Sequence, residues 1–510
     1  MTIHQLELAP DQLTRRARWA ALAVLMLPVL LVSIDNTALS FAVPSLSRSL
    51  EPSGNQLLWI IDVYPLVLAA LLVTMGSLGD RIGRRRILLL GSSGFAAVSV
   101  LAAFAPSAGW LILARGLLGI FGAMLMPATM SLIRNIFTDA GERRIAIAIW
   151  MAGFSGGAAL GPLVGGWLLE HFWWGSIFLI ALPVLVPLLV LGPRLLPESR
   201  DPDPGPVDLA GILLVSTALA AIVFAIKTVA THGFDQVAVL TIGIGIAAGV
   251  AFVRRMLTRR NPMLDVRLFG NPVFSMALVV NLVSVFALVG FIYFLTQHLQ
   301  LIAGRSPLDS AVMMIPGLVV TIALGLGAVP LARRFGAVQV MVAGVLANGV
   351  GYLVVSALGH TGSGAALLIG FVLVCAGVGM SETVSNDLAL SAVPPSKAGA
   401  ASAVSETAYE VGAVLGTAVL GSLLNLAYRQ GVHVPVTVAA DDAEQARSTL
   451  GGAVEVAGDL PTHAADALLA SAAHAFDSGV TVTAAIASGL SFLVALAAHR
   501  ILRPSRTVDS

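Results

Sequence analysis

Glu406 and Glu410 stand four residues apart in a stretch, 398–428, that carries no other charge. On a helix they share one face and lie about 6 Å apart along the axis. Two carboxylates that close, taken out of water, share a proton rather than both carrying charge, and such a pair can trade protons for a cation. The blander reading, a lone structural carboxylate bonded to a Ser or Thr, does not account for two. Asp35, Asp62, Arg115, Glu382 and Asp387 interrupt other apolar runs in the same way. Asp35 reads equally as a proton carrier or as a structural partner of Arg115. Asp62 reads as the guard of a vestibule or as a snorkelling surface carboxylate, Glu382 as a coupling or structural acid, and Asp387 as structural. Tyr409, between the two glutamates, and Tyr64, near Asp62, could offer ring faces to a flat apolar cation. Trp150, Phe286, Phe291, Tyr293, Met313 and Met314 could do the same, but in so apolar a chain they read mostly as packing or lipid-facing residues.

These charges need an apolar frame to be expensive, and the chain supplies one. Its 510 residues are 57% hydrophobic and 11% charged, against about half apolar and a quarter charged in a soluble domain. Runs of roughly 20 apolar residues, enough to cross about 30 Å of hydrocarbon, recur near 19–41, 57–79, 86–105, 110–133, 145–169, 174–193, 208–228, 237–256, 272–298, 309–331, 337–358, 363–389, 399–427 and 480–502. The reading is an all-α membrane protein with 14 transmembrane helices. The first run is too long for the apolar core of a signal peptide and reads as a retained span. Abundant Gly and Pro suit packed helices in lipid. Cys375 is the only cysteine and can form no intrachain disulfide. No nucleotide-binding GxxxxGK[ST] loop occurs, so no ATP chemistry is evident.

With an even span count, every Lys and Arg falls on the side of the termini except Arg48, Lys227, Arg305, Arg429, Arg447 and the intramembrane Arg115. Positive charge stays in the cytoplasm, so both termini are expected there. The link 195–207, with Pro-Glu-Ser-Arg-Asp-Pro-Asp-Pro-Gly-Pro, reads as a connector that is not helical throughout. The segment 428–478 lies on the opposite side. Its Ala-rich stretches 441–457 and 463–477 read as a helical hairpin or a mobile loop.

Loop chemistry adds a second set of residues. Gly76, Gly79, Asp80, Arg81, Gly83, Arg84 and Arg85 follow the second span, where the glycines allow a tight turn and Asp80 can pair with arginines or cap a neighbouring helix, acting as a gate. A weaker echo, Val329-Pro-Leu-Ala-Arg-Arg-Phe-Gly-Ala, follows the tenth span and marks a faded internal repeat. In the fifth span Gly157, Gly161, Pro162, Gly165 and Gly166 place small residues at every fourth position, which lets helices approach closely.

The loop Gly76 to Arg85 resembles the signature of the major facilitator superfamily. Ser33-Ile-Asp35-Asn-Thr-Ala-Leu-Ser-Phe-Ala-Val-Pro44 resembles the first-span motif of its fourteen-helix drug:proton antiporter branch. Arg115 with Gly119, Gly122 and Ala123 resembles the fourth-span motif, and Gly157 to Gly166 the fifth-span antiporter motif. Ser405 to Gly416 is similar to the subgroup that exports quaternary ammonium compounds. The resemblance implies a major-facilitator-type fold of two six-helix bundles, 1–194 and 272–510, joined by a connector, 195–271, with two additional helices, and with 428–478 as an extracytoplasmic loop. It also implies a proton-coupled multidrug antiporter of the bacterial inner membrane, a monomer that exports lipophilic cations such as antiseptics and dyes and confers resistance. Neither a cofactor nor a nucleic-acid partner is expected, the proton gradient being the energy source. A transporter of a neutral or anionic metabolite would call for basic residues in the spans, where Arg115 stands alone. A membrane-embedded enzyme would need clustered acids or histidines, and a sensor an appended domain. The sequence favours none of these.

Overall fold

A computed structural model describes residues 14–200, 208–259, 262, 264–358, 364–393, 398–436 and 438–502. The Pro-rich part of the connector, 201–207, lies outside the described residues. Helices account for nearly all of the rest, and no strand occurs among the described residues. They are α1 (Arg15–Leu50), α2 (Gly54–Ile82), α3 (Arg84–Ala103), α4 (Ala108–Ile136), α5 (Ala140–His171), α6 (Ser176–Leu179), α7 (Ala181–Leu195), α8 (Leu209–His232) and α9 (Gln236–Thr258). After a short 3-10 turn come α10 (Pro272–Gln297), α11 (Pro307–Phe335), α12 (Ala337–Leu358), α13 (Gly364–Ser391), α14 (Ala398–Leu415), α15 (Ser422–Gly431), α16 (Ala440–Ser448), α17 (Leu450–Gly458) and α18 (Thr462–Ile501). Thirteen helical segments among the described residues are long and apolar enough to span a membrane. Helix α5, with 32 residues and a length of about 48 Å, is the fourteenth by length.

Starts are set by side chains that take up orphan backbone N–H groups. Ser53 and Gln56 form a reciprocal capping box on α2, and Ser107, Asp139 and Ser306 cap α4, α5 and α11. Prolines inside α1, α2, α4, α5, α7 and α11 are carried by neighbouring helices that replace the lost support.

The fold is two six-helix bundles plus two extra helices. In the first bundle α1 packs along α5, and α2 and α3 along α4; in the second α13 is held by α10, α11 and α12, and α18 by α12. The bundles meet through α5 with α11 and α2 with α14. The internal repeat is preserved in backbone geometry: α2 ends on Gly83 at φ 113°, ψ 130°, and α11 ends on Gly336 at φ 95°, ψ 141°. Both angles lie where a Cβ is strained, so each loop keeps its glycine although the surrounding charges have diverged.

The additional helices α8 and α9 pack on each other and touch the rest mainly through α8, which lies against α2 and α15. Near the chain termini Arg255 of α9 forks onto Asp208, the cap of α8, at 2.8–3.0 Å, and this hydrogen bonding holds the Asp208 carboxyl below its ordinary range. The face where α1 begins and α18 ends is called the terminal face below; the opposite face carries α16 and α17.

On that hairpin face the structure corrects the expected segmentation. The arm 441–457 is two short helices, broken where Thr449 turns extended and caps α17. The arm 463–477 is no separate helix but the first half of α18, which runs unbroken for 40 residues. Composition changes from polar to apolar along it, yet no proline interrupts it, so the backbone continues. Tyr428 fixes the short helices by donating to the carbonyl oxygens of Ala446 (2.9 Å) and Thr449 (3.3 Å).

Candidate functional site

Asp35 on α1 is buried, and its Oδ2 lies 2.6 Å from Nη1 of Arg115 on α4. Arg115 also donates from Nε to the carbonyl of Ile60 on α2 at 3.2 Å, and its guanidinium lies 4.4 Å from the centre of the Tyr64 ring. One buried cation therefore ties α1, α2 and α4 together. Of the two roles the sequence left open for Asp35, the structural one has a visible partner. Tyr64, expected to line a cavity beside Asp62, instead turns to Arg115 and Phe95 and packs where Gly119 and Gly122 leave room. It is fully buried and occupied.

The fifth-span glycines place α1. A Cβ added at Gly157 would meet Ser33 and Leu30, at Gly161 Ile34 and Thr37, and at Gly165 Ala38, so successive turns of α5 press against the turns of α1 on either side of Asp35. Thr37 stitches the contact by donating to the carbonyl of Ala158 at 3.2 Å. Pro162, next to Gly161, is buried inside α5. Gly166 faces the other bundle, against Pro307 and Leu308 at the start of α11.

Across the bundle interface stand the two glutamates. Glu410 is 3% exposed, and its side chain faces that of Asn36, the neighbour of Asp35 on α1. Glu406 is half-buried one turn away on the same face of α14. Between them Tyr409 projects onto Phe154 of α5, edge to face at 5.5 Å; Phe154 stacks on Trp150 at 6.4 Å, and Trp150 donates to Thr129 of α4 at 3.1 Å. This aromatic chain bridges the two bundles, and sequence reading had singled out Tyr409 but not Phe154. Glu382 of α13 is half-buried within electrostatic range of Tyr409, whereas Asp387 is exposed. Asn36, Phe154, Tyr409, Glu406, Glu410 and Glu382 thus form one mixed acidic and aromatic seam. Such a seam can hold a desolvated organic cation by charge and by ring faces. On the other face of α14, Val404, Thr407 and Val411 line an apolar cleft of about 300 Å³ shared with Phe252, Phe269 and Leu282.

Two further residues, outside this seam, are not singled out by the sequence. Lys227, assigned to an outer helix end, is 1% exposed and lies 2.9 Å from Asp62, itself fully buried. Asp62 is therefore neither a vestibule guard nor a snorkelling side chain in this conformation, and Arg115 is not the only base inside the spans. Glu198, in the connector, is the hub of the terminal-face loop: it accepts from the backbone of Arg85 at 3.1 Å and sits 3.8 Å from Arg85 and Arg86. Its oxygen lies where a Cβ on Gly83 would fall. An acid directly after the sixth span was the available signal. Asp80 pairs with Arg84, 2.9 Å away within the same bundle, and Gly76 packs on Pro127 of α4. Arg81 closes α2 in its last turn. Among the described residues no group of three or more His, Cys, Asp or Glu side chains is arranged to hold a metal ion.

The sequence profile of the Major Facilitator Superfamily matches residues 25–417. The chain belongs to that family. It is 54% identical over 472 residues to the multidrug efflux pump LfrA of Mycolicibacterium smegmatis, covering 92% of this chain and 94% of that one. It is 36% identical to the methyl viologen resistance protein SmvA of Salmonella typhimurium, covering 94% and 97%. Among solved structures, a POT family transporter in complex with 5-aminolevulinic acid superposes with a TM-score of 0.66 at 12% identity, over 95% and 97% of the two chains. A bacterial homolog of the human lysosomal transporter Spinster, inward-facing and unoccupied, gives 0.61 at 19% identity over 97% and 100%. These structures share the fold. The family and its membrane helices make this chain a multi-pass membrane transporter and not an enzyme.

Proposed function

We propose that the protein is a proton-coupled multidrug antiporter that exports lipophilic and quaternary ammonium cations. The observation that carries this reading is Glu410, an acid buried at the interface of two bundles and facing Asn36, one turn from Glu406 and next to the Tyr409–Phe154–Trp150 chain. A carboxylate there binds either a proton or a desolvated cation, and a site that holds one at a time exchanges them. Two relatives, named a multidrug efflux pump and a methyl viologen resistance protein, fit that chemistry. The bundles 1–194 and 272–510 would rock about this seam, with 195–271 following. No cofactor is required, because the proton gradient supplies the work, and a single chain contains the whole site.

The test is export of a fluorescent lipophilic cation from loaded vesicles containing the purified protein. Imposing an inward proton gradient should accelerate efflux, and efflux should in turn carry protons in. Efflux indifferent to the gradient would sink the reading.

The orientation we infer puts the terminal face in the cytoplasm of a bacterial inner membrane, since the arginines of 81–86, 143, 254–259, 267 and 333–334 lie on that face. Glu444 on α16 is exposed in the opposite direction. In a Cys375→Ala background, Glu444→Cys should react with a membrane-impermeant thiol reagent in intact, outer-membrane-permeabilised cells. Labelling only after the inner membrane is broken would reverse the topology.

A further inference from the structure

Hydrogen bonds between the two bundles stand on the hairpin face: Gln300 to the carbonyl of Phe41 at 3.3 Å, Ser306 to Glu170 at 3.0 Å, and Asn425 to the carbonyl of Gly54 at 3.5 Å. The structure is therefore closed there. Inside this closure lies a charge pair that the exchange seam does not use. Asp62 of α2 meets Lys227 of α8 at 2.9 Å, beside Thr417 in the π-turn Gly416–Gly421 that follows α14, whose hydroxyl donates back to the carbonyl of Ala413. Trp59 covers the ammonium with its ring at 3.9 Å, and Leu66, Val223, Val414 and Ala418 wall the pair in. The pair thus stands where three bodies meet: the first bundle, the second bundle and the accessory helix.

A fully buried lysine is costly to place in a span unless it is paired. Anchoring α8 would not need it, because the surrounding apolar cluster would anchor a leucine at least as well. A charge retained at the meeting point of parts that must separate has a use in the separation. We propose that Lys227 is a positioning residue: from the accessory helix it holds the Asp62 carboxylate across the interface, and the hairpin face is released when that carboxylate is neutralised. The inference rests on the proton-coupled reading above. The groups facing the pair from the packed elements are Trp59 on α2, Thr417 after α14 and Tyr293 on α10. Arg429 of α15 shares a small cavity with Lys227 and pairs outward with Glu444 at 3.3 Å.

Leu58 is buried where α2 meets Gly421 on the same face, so Leu58→Cys in a Cys375→Ala background reports opening. In membrane vesicles of the full-length protein, Lys227→Met should raise its labelling by an impermeant thiol reagent about tenfold, as a tenfold gain in open population requires. Asp62→Asn should match that rate, and the double variant should go no faster. Lys227→Arg should restore slow labelling, and acidification should speed the parent but not Lys227→Met. Slow labelling in Lys227→Met protein that still binds a fluorescent lipophilic cation would overturn the latch. Were Lys227→Met not to fold, the double variant, which leaves no unpaired charge, decides alone: slow labelling refutes, fast labelling supports. Labelling needs no transport. If proton-driven efflux is absent yet Lys227→Met opens the face, the export reading fails and the latch stands; the converse removes the latch only.

Discussion

Glu410→Gln is expected to abolish proton-driven export of lipophilic cations while the protein remains folded and monodisperse. The amide keeps the volume and polarity of the side chain beside Asn36, but it can neither release nor accept a proton in the cycle. Counterflow of bound cation down its own gradient should persist, because that exchange needs no change of charge on the protein. Glu406→Gln, in the half-buried position one turn away, should weaken export of some cations more than others, since it stands nearer the opening of the seam. Export by the double variant that follows an imposed proton gradient at the parental rate would remove both residues from the mechanism.

Arg115→Met is expected to be the most destabilising single change in the first bundle, costing about 3–5 kcal/mol, the penalty for stranding one partner of a buried pair. Met matches the stem of Arg, so the loss comes from three contacts at once: Asp35 at 2.6 Å, the Ile60 carbonyl at 3.2 Å and the Tyr64 ring. Thermal unfolding in detergent, followed by tryptophan fluorescence, should show a fall of several degrees. Adding Asp35→Asn should recover part of it, because the carboxylate is no longer left alone. If Arg115→Met melts with the parent, the pair contributes nothing to stability, and Asp35 would be free for the proton-carrying role.

Most of the architecture was legible because lipid imposes one strong rule, that an apolar run of spanning length must be a helix. The Gly157–Gly166 pattern likewise announced a close helix contact, though not that α1 was its partner. What stayed hidden depended on direction. Lys227 sits a turn and a half from the end of α8, and nothing in the sequence distinguishes a lysine that snorkels out from one that turns in toward Asp62. Tyr64 and Asp62 are two apart in sequence and so project to different sides of α2, one to Arg115 and the other to Lys227. Glu198 was hidden by the loop register that brings the connector back under Gly83. The long α18 escaped because hydropathy marks the membrane boundary and not the end of a helix.

That unbroken α18 gives the molecule a lever. Forty residues amount to about 60 Å of helix, rooted in the second bundle through α10 and α12 and carrying α17 on its far half. Each degree of tilt in that bundle sweeps the free end through about 1 Å over such a length. A motion too small to resolve among the packed spans is therefore magnified at α16 and α17, where Gly451 rests on Ser47 of the opposite bundle. The ornament on the hairpin face is in effect a pointer, and a spectroscopic probe pair placed across Ser47 and Gly451 would read the bundle angle from outside the membrane.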